Sequence, residues 1–361
     1  MKCMRGAIGA VIGLYITAGS FAQTTVVVNN TPGVTADFSS LQTAVNTVAD
    51  GTLILLQPGP ASYGDVTIKK RLVIIGGGYF LGTNAVPFTQ ATPSPSVVDR
   101  IFFDTLSNGS YITGLSLSGD VTTGSNSRLN FTSTSDITIS RCYISRTQHT
   151  PLANVAYGIN TFNVTMKQCF IESSQSVQVA LLDHCTAFFF NNNIFNGSGN
   201  KQPVEVITRN TAGVHFTNNT IFNWQNENIT PAYCFFQNNI FINDGGGNTP
   251  VIAEGGASYN VGNVDYFAGA ISNNITTATA AMLFNSSAGS QDANYQLKAG
   301  SPASGFAPGG IDAGAFGGLP DDKYVLSGIS EFVPNIYFMN VPTVGAHTGG
   351  LPVHIKIKAN K

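Results

Sequence analysis

Phe216-Thr-Asn-Asn219-Thr-Ile221 is the clearest of six stretches that follow one pattern: an apolar residue, two others, a Leu, Cys or Asn, one more residue, and a final Ile or Leu. The Leu, Cys or Asn of the six stretches falls at Leu115, Cys142, Cys169, Asn192, Asn219 and Asn238, so it recurs after 27, 27, 23, 27 and 19 residues. This recurrence indicates a solenoid in which each repeat is one coil.

The residues inside each repeat favour β-strands over helices. Apolar residues fall two apart, as in Ile137/Ile139 and Val214/Phe216, and β-branched and aromatic types dominate. A further short strand precedes each stretch, as in Arg128-Leu-Asn-Phe-Thr132. Three short strands per coil is the simplest interpretation, and it predicts an all-β parallel β-helix.

The recurring central position predicts a structural column inside the solenoid. In a parallel solenoid equivalent positions stack about 4.8 Å apart. Asn192, Asn219 and Asn238 are therefore predicted to form an inward ladder of hydrogen-bonded amides. The other members of this column would be Leu115, Cys142 and Cys169. The alternative is that Asn-Asn pairs are ordinary turn composition.

Residues 1–22 have the features of a secretory signal peptide. Lys2 and Arg5 precede an apolar run, and small residues stand at the two positions that determine cleavage. We therefore expect cleavage after Ala22 and a protein that is secreted or held at the cell surface. No other stretch is long and apolar enough to span a bilayer.

The rest of the chain divides into a β-helix domain, residues 23–318, and a C-terminal β tail, residues 319–361. Ser39 and Gln42 are predicted to form the capping box of a short amphipathic helix that covers the open N-terminal end. In the tail, alternating stretches such as Val353-His-Ile-Lys-Ile-Lys358 predict strands. We expect the tail to cover the second open end, with secretion or surface attachment as the alternative.

Two parts of the chain resemble a known superfamily. Asp50-Gly51-Thr-Leu-Ile-Leu-Leu56 and Leu72-Val-Ile-Ile75-Gly76 resemble the opening of secreted right-handed parallel β-helix proteins of the pectin-lyase-like superfamily. Tyr295-Gln-Leu297-Lys-Ala-Gly300-Ser-Pro302 and Ile311-Asp312-Ala-Gly314-Ala-Phe316-Gly resemble the closing coil of many such proteins in Bacteroidetes-type bacteria. The resemblance implies a right-handed β-helix and an extracellular polysaccharide as partner, and it is specific for fold rather than for activity.

The catalytic residues stay unknown from the sequence. Hydrolase motifs of the superfamily are absent, and the carboxylates that a calcium-dependent lyase needs are scattered over different coils. Asp183-His184 is the most suggestive dyad, although adjacent strand residues face opposite sides. No Cys or His spacing suggests a metal site, so we expect no cofactor, and calcium remains an option that no residue cluster supports.

Four scattered residues are the candidates for substrate binding: Arg100, Arg128, Glu205 and His215. Arg100 and Arg128 occupy equivalent positions on successive strands, where their like charges favour an anion between them. An anionic sugar is therefore one hypothesis, and ordinary solvation of two long side chains is the other. For His215 the plainer interpretation is a surface histidine with polar neighbours.

Two further columns leave alternatives open. Phe195, Phe222 and Phe241 follow the closing Ile of three coils, and they would form either an outward sugar-binding stripe or part of the core. Cys142 and Cys169 occupy neighbouring coils, so they would either form a disulfide or pack as free thiols. The state of Cys185 and Cys234 is equally open.

Composition limits the classes of function. Only 10% of the 361 residues are charged and the net charge is −2, which argues against a nucleic-acid partner because such a partner needs a basic face. We predict a monomer that binds, and in one version processes, extracellular polysaccharide. The alternatives are a non-catalytic structural or adhesive rod, and a polysaccharide lyase or glycoside hydrolase.

Overall fold

The structure is a computed structural model. It describes residues 23–119, 127–146, 155–173, 180–196, 206–209, 212–222, 234–242, 256–263, 271–285, 291–342 and 352–359. The predicted signal peptide, residues 1–22, lies outside the described residues, as does Glu205.

Three parallel sheets form the walls of the solenoid, and strands are numbered along the chain. Sheet 1 has eleven strands: β1 (Thr25–Val28), β2 (Leu53–Leu56), β4 (Val73–Ile75), β7 (Tyr111–Thr113), β10 (Ser135–Ser140), β13 (Phe162–Lys167), β16 (Thr186–Asn191), β19 (Ala212–Thr217), β21 (Cys234–Gln237), β23 (Ala257–Ser258) and β25 (Ile271–Ser272). Sheet 2 has six: β3 (Asp65–Ile68), β6 (Arg100–Phe103), β9 (Leu129–Thr132), β12 (Ala156–Ile159), β15 (Ala180–Asp183) and β18 (Val206–Arg209). Sheet 3 has eight: β5 (Val97–Val98), β8 (Ser116–Leu117), β11 (Tyr143–Arg146), β14 (Phe170–Ser173), β17 (Ile194–Asn196), β20 (Thr220–Phe222), β22 (Ile240–Ile242) and β24 (Val261–Gly262).

Each full coil runs from sheet 1 to sheet 3 to sheet 2 and then pairs in parallel with the next coil, as β10, β11 and β12 do with β13, β14 and β15. The prediction of an all-β parallel β-helix with three strands per coil is confirmed. The other described elements are few. They are helix α1 (Leu41–Thr47), helix α2 (Ala280–Leu283), the 3₁₀ turns Ala293–Tyr295 and Leu326–Gly328, and the antiparallel pair β26 (Asn335–Asn340) and β27 (His354–Lys358).

Stacked apolar side chains fill the interior because alternate residues of each strand point inward. In sheet 1, Met166 pairs with Phe190, and Phe190 with Phe216. The rings of Phe190 and Phe216 stack at 4.7 Å, and those of Phe216 and Phe236 at 4.8 Å. The inward residues are thus Phe190 and Phe236, not their neighbours Phe189 and Phe235 as the alignment of the six stretches assumed.

The asparagine ladder exists, but two of its predicted members are wrong by one residue. Its column contains Leu115, Cys142, Cys169, Asn193, Asn219, Asn239, Asn260 and Asn274. Backbone and side-chain nitrogens of Asn193 donate to Oδ1 of Asn219 at 2.9 and 3.1 Å, and those of Asn219 donate to Oδ1 of Asn239 at 2.8 and 3.0 Å. Asn192 and Asn238 lie one position earlier and outside the ladder, because the turn that ends each sheet 1 strand needs a left-handed residue there.

This left-handed position forms a column of its own beside the ladder. Its residues have positive φ values in eight coils: Gly114, Arg141, Gln168, Asn192, Asn218, Asn238, Tyr259 and Asn273. Asn is the non-glycine residue that tolerates this conformation best, which explains the Asn-Asn pairs in the sequence. The first Asn makes the turn and the second enters the ladder.

The four described cysteines are buried free thiols, so the structure holds the packed alternative rather than a disulfide. Burial raises the pKa of Cys234 to about 12, and it raises the pKa of Cys169 as well. Phe195 and Phe241 also point into the interior, while Phe222 is buried on the outer side of sheet 3.

Helix α1 covers the N-terminal end of the solenoid through buried Leu41, Ala44 and Val45. The predicted capping residue is off by one, because the Ser40 side chain, not Ser39, accepts a hydrogen bond at 3.3 Å from the Thr43 backbone nitrogen. Gln42 does not complete a capping box. Its side chain bonds both backbone groups of Thr67 in β3 and so ties the helix to the first coil.

The C-terminal part of the chain turns back along the outside of the solenoid. We call residues 303–335 the return segment. It covers outward apolar residues of sheet 3, including Phe170, Ile194 and Ile240, and so creates a second core. The second stretch that resembles a closing coil, residues 311–317, belongs to this cover, since the Ala315 nitrogen donates to Oγ1 of Thr220 at 3.0 Å.

The described part of the tail lies along the outside of the middle and first coils, rather than over the second open end as predicted. The hydroxyls of Tyr324 and Tyr79 are 2.5 Å apart. Asn335 donates to the carbonyls of Pro87 and Thr89 at 2.8 and 3.0 Å. The outer face of sheet 3 carries large apolar residues such as Phe170, Ile194 and Ile240, and burying them is a stronger requirement than covering one open end.

Candidate functional site

The outer face of sheet 1 carries a column of stacked rings. Phe189, His215 and Phe235 are paired in register on β16, β19 and β21. Their ring centroids are 5.2 and 4.8 Å apart with interplanar angles of 19° and 13°. These are offset-stacked rings, and Phe235 remains 42% exposed. The column places aromatic surface where solvent or a ligand can reach it.

A groove with a volume of about 380 Å³ runs beside this column. The sheet side is formed by the rings of Phe189 and His215 and by the next outward column, Lys167, Asn191 and Thr217. The opposite wall comes from the return segment, and it consists of Ile311, Gly318, Leu319 and Asp322. Asn192, Asn218 and Asn238 line the groove where the two walls meet.

The left-handed residues hold the return segment at a fixed distance from sheet 1. Asn192 donates to the carbonyls of Ala315 and Gly317 at 3.0 and 2.8 Å. Gln168 donates to those of Asp321 and Lys323 at 3.2 and 2.6 Å. Side chains at consecutive coils therefore bind successive carbonyls of the wall. These hydrogen bonds fix the position of the wall relative to sheet 1.

The groove has little charge. Among its described lining residues only Lys167 and Asp322 carry a full charge, one on each wall. Partial burial lowers the pKa of His215, so its ring is neutral near pH 7. Amides, a hydroxyl and aromatic carbon make up most of the rest, a lining suited to a neutral polyhydroxylated ligand that offers both hydroxyls and apolar faces.

Stability should depend on pH through His215. Burial lowers the pKa of His215 below its ordinary value of 6.5. The unfolded chain then takes up this proton at a higher pH than the folded chain, so stability falls as the pH drops through about 6.5 toward the folded pKa. We expect the Tm to fall more between about pH 7.5 and about pH 5 for the wild type than for His215→Phe. Equal falls in the two proteins would contradict this assignment.

Glu205 lies outside the described residues, and of the other three predicted binding residues only His215 lines the groove. Arg128 is 4% exposed, and its guanidinium donates to the carbonyls of Ser145 and Asp99 at 2.8 and 3.0 Å. Arg100 pairs with Asp65. The two arginines satisfy carboxylate and main-chain oxygens within the wall of the solenoid, so they do not form an open anion-binding groove between them.

The Asp183 and His184 dyad makes its internal contact, with Nδ1 of His184 2.8 Å from Oδ1 of Asp183. It lies at the turn after β15, where His184 has a left-handed φ of 51°. Neither residue is among those that line the groove. Within the described part of the chain, no group of three or more His, Cys, Asp or Glu residues is arranged to hold a metal ion.

The sequence reasoning missed Phe189, Phe235, Lys167 and Asn191. The repeat pattern predicts an interior position for Phe189 and Phe235, because its apolar residue falls one position before Phe190 and Phe236. A signal existed in the paired aromatics Phe189-Phe190 and Phe235-Phe236. When two aromatic residues are adjacent on a strand, one of them must face outward.

The fold and the groove define this chain as a parallel β-helix protein with an aromatic-lined groove on its longest sheet. No family model matches the chain, and no curated protein matches it. Among solved structures it is similar to ORF18 of Geobacillus virus E2, at 13% identity and a TM-score of 0.19. That match covers 69% of this chain and 60% of the viral chain, so the chain spans 60% of its length. None of the described helices has the length and apolar character needed to cross a membrane.

Proposed function

We propose that this protein binds an extracellular polysaccharide in the groove on sheet 1. The observation that carries the proposal is the column of Phe189, His215 and Phe235 beside a lining of amide and hydroxyl side chains. Apolar sugar faces pack on aromatic rings, while sugar hydroxyls exchange hydrogen bonds with amides.

The surroundings of the groove support a carbohydrate chain rather than a charged small molecule. The aromatic column follows the solenoid axis, because its three rings come from three successive coils. An extended polymer lying along this axis meets one new set of side chains at each coil. The signal-like residues 1–22 and the resemblance to pectin-lyase-like proteins support an exported member of that superfamily.

The small number of carboxylates in the described part of the groove favours binding over cleavage as its role. Glycoside hydrolysis ordinarily uses two carboxyl groups that flank the scissile bond, about 5 to 9.5 Å apart. Among the described lining residues Asp322 is the one carboxylate, and it lies on the exposed wall formed by the return segment. We therefore place binding ahead of a lyase or hydrolase activity.

Calorimetric titration with a panel of neutral and acidic polysaccharides tests the proposal. We expect saturable binding to at least one glycan and at least an approximately tenfold loss of affinity in Phe189→Ala, because the Phe189 ring lines the groove. The matched control is Phe162→Ala, because Phe162 is a 54% exposed phenylalanine on β13 that does not line the groove. Equal affinity of Phe189→Ala and the wild type would overturn the site.

A non-catalytic structural or adhesive rod is the second candidate. It is favoured by the continuous hydrogen-bonded column from Asn193 to Asn274, which stiffens the solenoid along its axis. The same titration separates the two functions, because a rod gives no saturable heat with any glycan. Release of reducing ends or unsaturated sugars from the panel would instead identify an enzyme.

A further inference from the structure

A second depression lies in the outer face of sheet 1, at the first coils. We call it the crevice. Its floor includes Leu55 of β2 and Ile75 of β4, which are paired in register. Its other wall is the start of the tail hairpin, with Val333, Pro334, Ile336 and Met339. The volume is about 540 Å³, within the range of small-molecule sites.

The crevice is distinct from the groove. Between them the return segment touches sheet 1, where the Tyr111 hydroxyl donates to Glu331 at 2.7 Å and the Tyr111 ring packs edge to face on Phe332 at 5.4 Å. Glu331 in turn pairs with Arg141 at 2.8 Å. A ligand in one depression therefore need not meet a ligand in the other.

The hairpin wall is fixed on one side. Asn335 donates to the carbonyls of Pro87 and Thr89, and the Ala91 nitrogen donates to the carbonyl of Ile336 at 3.0 Å. These bonds hold the wall while leaving its apolar side chains uncovered, since Ile336 is 40% and Met339 48% exposed. A preformed gap between two apolar walls is favourable for a ligand because little ordering is needed on binding.

The lining selects against charge. None of the described residues that line the crevice carries a charged side chain. Its amide side chains are partly engaged: Asn29 donates to Oε1 of Gln57 at 2.8 Å, and Gln90 donates to the carbonyl of Gly77 at 2.6 Å. The amide nitrogen of Gln57 and the side-chain oxygen of Gln90 have no partner among the described residues. They offer one donor and one acceptor to a polar end.

We propose that the crevice binds an uncharged amphiphilic small molecule. Its apolar body lies between the Leu55 and Ile75 floor and the Ile336 and Met339 wall, and its polar end bonds to Gln57 or Gln90. An ionised ligand would lose hydration in this gap without meeting a counter-charge. A second copy of the chain is a poorer occupant, because the free edge of the hairpin carries Lys356 and Lys358, and such charges disfavour strand pairing.

A fluorescence titration with Nile red, an uncharged probe, tests the proposal on the full chain. We expect one saturable site, and at least an approximately tenfold weaker affinity in Leu55→Trp, which fills the crevice from the floor. Met339→Glu, on the exposed wall, should have the same effect by adding a charge. The matched control is Leu106→Trp, since Leu106 is 72% exposed and does not line the crevice.

Competition separates the chemical class from adventitious binding. Dodecanol should displace the probe, whereas dodecanoate at about pH 8 should not, because the carboxylate is ionised there. Wild-type affinity in both Leu55→Trp and Met339→Glu would overturn the site, and equal displacement by the two competitors would overturn the preference for an uncharged ligand. Concentration-dependent dimerisation that Met339→Glu abolishes would assign the crevice to a second copy instead. Polysaccharide binding at the groove is unaffected by any of these outcomes.

Discussion

Replacing Asn219 with Leu should lower the free energy of unfolding by at least about 3 kcal/mol. The Asn219 side chain donates to the carbonyl of Phe190 at 2.7 Å and to Oδ1 of Asn239 at 3.0 Å, and it accepts from both nitrogens of Asn193. Leucine leaves the nitrogens of Asn193 and the carbonyl of Phe190 without these partners in a fully buried column. An unpaired buried polar group costs about 1 to 3 kcal/mol, so the losses at one position are large.

Urea unfolding followed by circular dichroism measures this change. The matched control is Asn46→Leu, the same substitution on the exposed side of α1, which should change stability by less than about 0.5 kcal/mol beyond the loss of one exposed contact with Gln42. A free energy of unfolding for Asn219→Leu equal to that of the control would show that the ladder does not stabilise the solenoid.

Cys169 shows why the ladder could be predicted in kind but not in register. Its thiol lies 3.7 Å from the carbonyl of Ile139, the same bond across one coil that Asn193 makes to Met166. The repeat of Leu, Cys and Asn at one position was visible in the sequence because every coil imposes the same environment. The register at Asn192 was not visible, since an Asn-Asn pair serves both the turn and the ladder and composition cannot assign the order.

Only one wall of the groove could have been predicted from the sequence. Phe189 and Phe235 could have been placed outward from their own aromatic neighbours, so one wall was within reach of the sequence. The other wall was not, because Leu319 and Asp322 are held beside sheet 1 by contacts of side chains such as Gln168 and Asn192 with main-chain carbonyls. Such contacts depend on backbone position and leave no pattern of residue types.

The observed position of the return segment gives the C-terminal residues a different role from the predicted one. As a cap over the far end they would protect a strand edge, and their loss would affect one coil. As a cover along sheet 3 they bury Phe170, Ile194 and Ile240 and supply one wall each to the groove and the crevice. Both proposed binding sites therefore depend on the attachment of this segment to the solenoid.

Asp292 joins the return segment to the early coils, and Asp292→Ala should lower the free energy of unfolding by about 3 to 4 kcal/mol. Asp292 is fully buried. Its carboxylate accepts from the Asn84 side chain at 3.0 Å, the Ser327 nitrogen at 2.7 Å and the Tyr324 hydroxyl at 3.4 Å. Burial and this nearby charge raise the pKa of Tyr324, so its phenol keeps its proton and remains a donor.

In Asp292→Ala we expect the return segment to open before the coils unfold. The reason is that Asp292 joins Asn84, in the early coils, to Ser327, in the return segment. Hydrogen exchange followed by mass spectrometry should show faster exchange in residues 303–342 of Asp292→Ala while β10, β13 and β16 stay protected. Asp322→Ala is the matched control, since Asp322 is exposed and should leave exchange unchanged. Uniform acceleration across the solenoid in Asp292→Ala would mean that the return segment and the coils unfold as one unit, and that the groove wall is as stable as the sheet it faces.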